Sequence, residues 1–270
     1  MLEKIQNEME ENRSFREADT EADRLLCLAL DIGDGMLKSG GEINRVEETI
    51  TRICYAYGAV HTEVFSIPSV IIAAVRMADG SYSSQVRRIH STANDLYRLE
   101  QFNDISRWAC RETPDFEDLD ERIRQVKKKK GVPSWLRCLA SAVAAGAFAV
   151  FFGGTWRDGV VAAAIGALVF LVDCIPVKQF NGLAKTLVQS LLAGILAILS
   201  VNIGLGSDAG MIMIGTIMLL IPGLSFGTAL RDLLCGDILA GTLKTVQCVL
   251  AALMIAGGYL LAMFLMGGVL

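Results

Sequence analysis

The sequence predicts an α+β cytoplasmic domain followed by an all-α transmembrane bundle of about five helices. Charge gives the first indication: residues 1–126 hold 15 Lys/Arg against 24 Asp/Glu, a balance of −9, whereas residues 127–270 hold 10 against 5, a balance of +5. No Glu follows Glu121. Hydropathy divides the chain at the same place, because its second half is long runs of Ala, Leu, Ile, Val, Gly and Met. Periodicity gives the third indication, changing within the first half from helical spacing to short β-rich runs and back. The expected organisation is a charged tail over 1–20, the α+β domain over 21–126, a basic linker over 127–133 and the membrane domain over 134–270.

The opening MLEKIQNEMEENRSFREADTEADR is densely charged and has no apolar h-region, so no export signal is expected and the chain should begin in the cytoplasm. Residues 21–38 carry Leu25, Leu28, Ala29, Ile32, Met36 and Leu37 near helical spacing, then stop at Ser39-Gly40-Gly41. From Glu42 to Tyr57 the apolar residues Ile43, Val46, Ile50, Ile53 and Tyr57 fall three or four apart, and Gly58 closes that helix. The period then shortens. VHTEVFS, SVIIAAVR and SYSSQVRRI read as strands, with Ala78-Asp79-Gly80 as the hairpin turn between the last two. Helical spacing returns through Leu96, Leu99, Phe102 and Ile105, and again through Phe116, Leu119, Ile123 and Val126.

A membrane span needs about 20 predominantly apolar residues, and the segments 134–153, 158–177, 183–203, 209–230 and 238–266 qualify. Basic residues orient them. With the N-terminus inside, the inner side collects Lys127, Lys128, Lys129, Lys130, Arg137, Lys178, Lys185, Arg231 and Lys244, while the outer side has only Arg157. A multi-pass protein of the cell (inner or plasma) membrane is therefore expected, with its C-terminus outside. The spans are rich in Gly, Ala, Ser and Thr, which lets helices approach closely as a bundle in lipid. Asp173, Gln189, Asn202, Lys244 and Gln247 lie inside or at the edges of spans, where polar groups read first as functional. For Asp173 and Lys244 an interfacial anchor is the alternative.

IPGLSFGTALRDLLCGD, residues 221–237, places a Pro-Gly pair where backbone groups have no water to turn to. A break at Pro222-Gly223 would start a new half-helix near Ser225 and Thr228, whose free N–H groups and positive dipole end attract an anionic group. Transporters use discontinuous helices in this way. A proline kink satisfied by neighbouring helices is the alternative. Arg231, Asp232 and Asp237 would then form a charge-paired gate or a coordinating cluster at the cytoplasmic mouth, although a solvated loop also accounts for Arg231.

PGLSFGTALRDLLCGDILAG resembles the signature of the threonine/serine exporter family, and SGGEINRVEETITRI followed by HTEVFSIPSVIIAAV is similar to that family's N-terminal domain. The resemblance covers most of residues 22–270. It implies secondary export of small polar amino acids such as threonine and serine, or of a dicarboxylate of the succinate type, driven by an ion gradient. The family occurs as one fused chain or as two chains. This sequence resembles the larger, soluble-domain-bearing subunit, so a second small membrane subunit is implied, with a homo-oligomer as the other option. The matching positions are Pro222, Gly223, Arg231, Asp232, Gly236, Asp237 and Gly241 in the membrane part, and Gly41, Glu42, Arg45, Glu47 and Glu48 in the soluble part. Glu42, Arg45 and Glu48 fall three residues apart at the start of a helix, which suits a surface ion-pair ladder or docking against the bundle.

The seven cysteines are scattered without metal-ligand spacing, and only two His occur, so reduced buried thiols and no metal or cofactor are expected. A membrane-anchored hydrolase using His61, Glu63, Ser66, His90 and Ser91 is the competing class. No GxSxG, HExxH or P-loop supports it. Lipid and a small amino acid or dicarboxylate are the expected partners, without nucleic acid.

Overall fold

The computed structural model describes residues 20–129, 131–174 and 182–267. They form two compact units, one of Met1–Lys129 with Leu224–Thr245, the other of Lys130–Gly223 with Val246–Leu270. The charged tail up to residue 19, Lys130, Lys178, the end of the expected 158–177 span and residues 268–270 lie outside the described residues.

The first unit is built around α1 (Glu21–Lys38), buried on nearly every side, with Leu25, Leu26, Leu28, Leu30, Ile32, Met36 and Leu37 at its core. Thr20 caps it, accepting from the Asp23 amide at 3.2 Å. At its other end Gly40 takes a φ of 89°, while Gly41 N–H donates to Met36 O at 2.9 Å and Gly40 N–H to Leu37 O at 3.1 Å. These two bonds satisfy the carbonyls that the helix end leaves open. A Cβ at Gly33 would lie 2.6 Å from Ile50, and one at Gly35 would lie 2.2 Å from Phe102, so these glycines let two helices press onto α1. Those helices are α2 (Ile43–Ala56) and α3 (Leu96–Glu112), and α4 (Phe116–Lys128) completes the layer.

Between α2 and α3 the chain forms a three-stranded antiparallel sheet ordered β1 (Ala59–Ile67), β2 (Val70–Met77), β3 (Tyr82–Arg88). Ile71, Ala73 and Val75 on β2 point into the helical layer, while Phe65, Ile72 and Val86 stand in cross-strand register on the opposite, exposed face. The β2–β3 turn carries Gly80 at φ 88°, with Asp79 Oδ1 accepting from the Ser81 amide at 2.8 Å. Helix α9 (Gly223–Cys235) from Leu224 onward and the first two turns of α10 (Ile238–Met266) belong to this unit, and Ala240 joins its core.

The second unit contains α5 (Ser134–Phe151), α6 (Trp156–Cys174), α7 (Gly182–Asn202), α8 (Ala209–Leu220) and the rest of α10. Small residues set its packing. A Cβ at Gly215 would lie 2.5 Å from the Ala145 carbonyl oxygen, and one at Gly258 would lie 2.7 Å from the Leu187 carbonyl oxygen. Polar side chains inside are satisfied locally: Gln189 Nε2 donates to Val169 O at 3.2 Å, and the Thr216 and Tyr259 hydroxyls meet at 2.8 Å. Three described helices, α5, α7 and α10, are long and apolar enough to cross a membrane, and α8 with α9 makes up to a fourth if that broken pair is one span. Over the expected 158–177 span, α6 is described only to Cys174 and carries Arg157, Asp158 and Asp173.

Candidate functional site

The charged residues of IPGLSFGTALRDLLCGD lie on and just after α9, which follows a break in the helix at the Pro-Gly pair. Ile221 N–H still reaches Ile217 O at 3.1 Å, but Pro222 has no N–H to offer, and Gly223 N–H instead bonds Ile221 O at 2.8 Å. The helical ladder is therefore interrupted between Leu220 and Gly223. In the first turns of α9, Thr228 Oγ1 donates to Ser225 O at 3.0 Å, and Asn94 Nδ2 donates to Ser225 Oγ at 3.4 Å. One face of α9 buries Ala229 and Asp232, while Leu224, Phe226, Leu230 and Leu234 remain exposed. The pattern is amphipathic.

Helix α9 ends in a second glycine stop. Gly236 adopts φ 97°, Gly236 N–H donates to Leu233 O at 3.2 Å, and Asp237 N–H donates to Asp232 O at 2.9 Å. Helix α10 then turns back so closely that a Cβ at Gly241 would lie 2.6 Å from Leu233 Cγ and 2.8 Å from its backbone nitrogen. The spacing of Gly236, Asp237 and Gly241 is thus that of a tight reversal, which folds Lys244 back over Asp232.

The Asp232 carboxylate is 1% exposed and pairs with Lys244 Nζ at 2.7 Å. Asp237 Oδ2 is buried without a hydrogen-bond partner among the described residues. Burial, reinforced by the Asp232 charge and opposed by Lys244, holds the Asp237 carboxyl above the usual Asp range. Glu47, on α2, accepts from the Ser66 amide at 2.6 Å and its hydroxyl at 3.1 Å. Its carboxyl is also raised, by burial first, with the Asp237 charge adding to the effect and the Ser66 bonds opposing it. At the edge, Arg231 Nη1 pairs with Glu42 Oε1 at 2.7 Å. Asp237 and Glu47 are thus two carboxyls of raised proton affinity close to the Asp232–Lys244 pair, and no group of three or more acidic, His or Cys side chains among the described residues is arranged to hold a metal ion.

The remaining expected residues are placed differently. Gly41 closes α1, where a Cβ would lie 2.9 Å from Met36 O. Glu42, Arg45 and Glu48 do not pair with one another: Glu42 meets Arg231, Glu48 meets Arg52 on the next turn, and Arg45 lines a groove between α2 and α3. In the second unit, Asp173 pairs with Lys185 at 2.9 Å, whereas Asn202 is exposed at the far end of α7, about 25 Å along that helix from Lys185. Among the competing hydrolase residues, His61 meets Glu63 at 3.1 Å on the exposed face of the sheet, while Ser66 is 2% exposed on the other face. His90 and Ser91 are exposed.

Two arrangements escaped sequence reasoning. The fully buried Asp158 accepts from Thr155 N–H and Oγ1 at 2.8 and 2.7 Å, and from the Ser207 and Asp208 amides at 2.6 and 3.0 Å. Thr155-Trp156-Arg157-Asp158 is a capping box, so its local half was readable as Ser/Thr followed three positions later by an acid. The Glu47–Ser66 contact had no such local signal.

Residues 27–266 match the family model described as "Putative threonine/serine exporter", ThrE. Relatives include two proteins described as "Probable succinate transporter subunit YjjP". The one from Klebsiella aerogenes is 23% identical over 86% of this chain and 90% of its own length. The one from Escherichia coli (strain K12) is 22% identical over 89% of this chain and 94% of its own length. No solved structure gives a significant match.

Proposed function

The chain belongs to the threonine/serine exporter family, and from that premise we propose that it is the soluble-domain-bearing subunit of a secondary transporter exporting small carboxylate-bearing metabolites. Threonine and serine are the primary substrates in this reading. The relatives, described as succinate transporter subunits, favour succinate as the second reading, and a carboxylate is common to both. The interrupted helix carries the proposal. The ladder breaks between Leu220 and Gly223, and although Gly223 N–H is taken by Ile221 O, the N–H groups that follow it in the first turn of α9 lack helical acceptors and can meet a carboxylate. The charged reversal that follows places Asp237, an acid of raised proton affinity with an unpartnered buried oxygen, beside the Asp232–Lys244 pair. Uptake and release of a proton or cation there would couple export to an ion gradient, with Arg231–Glu42 opening and closing at the edge.

In this reading the α+β domain lies in the cytoplasm, the basic residues 127–130 mark the inner surface, and the C-terminus is external. A second small membrane subunit supplies the remaining spans, in keeping with the word subunit in the relatives' descriptions. Asp173 with Lys185 anchors a helix end, and Asn202 faces the opposite side. The test is efflux of preloaded threonine, serine and succinate from cells carrying the chain with a small membrane subunit of the same family. Faster efflux of at least one is expected, and unchanged efflux of all three with the protein present in the membrane would overturn the proposal.

A further inference from the structure

A groove of about 310 Å³ in the α+β domain has four arginines among its lining residues, Arg45 and Arg52 from α2 and Arg107 and Arg111 from α3. Arg45 and Arg52 are seven residues apart, or two helical turns, and Arg107 and Arg111 are four apart, so each pair lies on one face of its helix. The opposite faces hold the two helices in the core through Val46, Ile50, Phe102 and Ile105. The groove therefore rests on rigid elements. Its floor is polar, because Asn103 and Ser106 line it at 8% exposure each.

The charges in the groove do not balance. Its one carboxylate, Glu48, is taken by Arg52, and Arg111 lies 4.0 Å from Glu112. Arg45 and Arg107 have no ion-pair partner among the described residues. This surplus occurs in the half of the chain whose balance is −9, so the domain's general composition does not account for it. Like charges gathered around a concavity repel one another and raise the local concentration of anions. Guanidinium forks match carboxylate and phosphate oxygens two at a time. The volume lies at the lower end of the small-molecule range, and none of the lining residues is aromatic, so there is no platform for a nucleobase.

We propose that the groove between α2 and α3 is a binding site for a small non-aromatic di- or trianion bearing carboxylate or phosphate groups. It is separate from the charged reversal at Asp232–Lys244, and it stands whether or not the transport reading does. Arg45 and Arg107 supply the uncommitted forks, while Arg52 can leave Glu48 for the ligand.

The test is calorimetric titration of the full chain in detergent micelles with inorganic pyrophosphate and, separately, with succinate, with hydrogen exchange followed over residues 45–52 and 103–111. At least one probe should bind and slow exchange in both segments, and which one does so identifies phosphate or carboxylate as the preferred group. In Arg45→Gln/Arg107→Gln the groove affinity should fall at least tenfold, while exchange in α1 stays unchanged as the check on folding. The single variant Arg107→Lys, which keeps the charge and loses the fork, should weaken binding less than the double variant. Absence of binding by both probes, binding that leaves both segments unprotected, or undiminished affinity in the double variant would overturn the proposal.

Discussion

Replacing Lys244 by Met isolates the strongest electrostatic commitment in the charged reversal. The Asp232 carboxylate is 1% exposed, Lys244 Nζ lies 2.7 Å away, and the lysine side chain is itself only 14% exposed. Removing one member of such a pair strands a buried charge, at a cost of about 3–5 kcal/mol, whereas removing both charges together is often close to neutral. Lys244→Met and Asp232→Asn/Lys244→Met should therefore differ by about 3 kcal/mol, or about two orders of magnitude in a local opening equilibrium. Because a chain with two units need not unfold in one step, the assay is hydrogen exchange of the α9 amides near Asp232 in the full chain. Protection should collapse in the single variant and recover most of the way in the double. A double variant as unprotected as Lys244→Met would refute the reasoning, since it would mean that the cost does not come from a stranded Asp232 charge.

Gly241→Ala should destabilise the same reversal by about 1–3 kcal/mol, seen as faster α9 exchange, because the new methyl meets the Leu233 backbone nitrogen at 2.8 Å. Asp158→Ala should destabilise the start of α6 locally by about 2–3 kcal/mol, read as faster hydrogen exchange of its first-turn amides and of those at Ser207 and Asp208, since four donors lose their acceptor. Arg231→Gln should leave stability within about 1 kcal/mol, because the arginine side chain is 64% exposed and its pair is screened by solvent. Asp237→Asn should change pH dependence. The native carboxyl binds its proton more tightly than the ordinary value of 3.8, so its contribution to stability is full below that value and is lost as pH rises through the native one. The Asn variant should lose that slope and be relatively more stable at neutral pH, as read from melting temperature against pH.

Local chemistry made much of the fold legible. The α1 helix over residues 21–38, its glycine stop and the Ala78-Asp79-Gly80 turn could all be read because each depends on neighbours within a few positions. The α+β class followed from the change of period, and the helical second half from its apolar runs. The charged site was legible only as a list of residues. Nothing local says that Glu42 meets Arg231 across 189 positions, or that Ser66 on β1 holds Glu47 on α2. The spacing of Glu42, Arg45 and Glu48 suggested a ladder, but tertiary partners take Glu42 and the next helical turn takes Glu48. Long-range pairing of charges depends on which faces the core leaves exposed, and the sequence pattern states that only after the helices are packed.

The central claim is that the interruption at Pro222-Gly223 serves transport, and the most direct measurement is substrate efflux from cells carrying Pro222→Ala/Gly223→Leu with a small membrane subunit of the same family. The exchange restores an N–H at 222 and a helix-favouring residue at 223, where a Cβ meets nothing within 4 Å, so the ladder can heal without a clash at that first atom. The healed variant should reach the membrane at normal abundance and lose efflux. Efflux at the parental rate would contradict the account and leave the Pro-Gly pair as a packing kink.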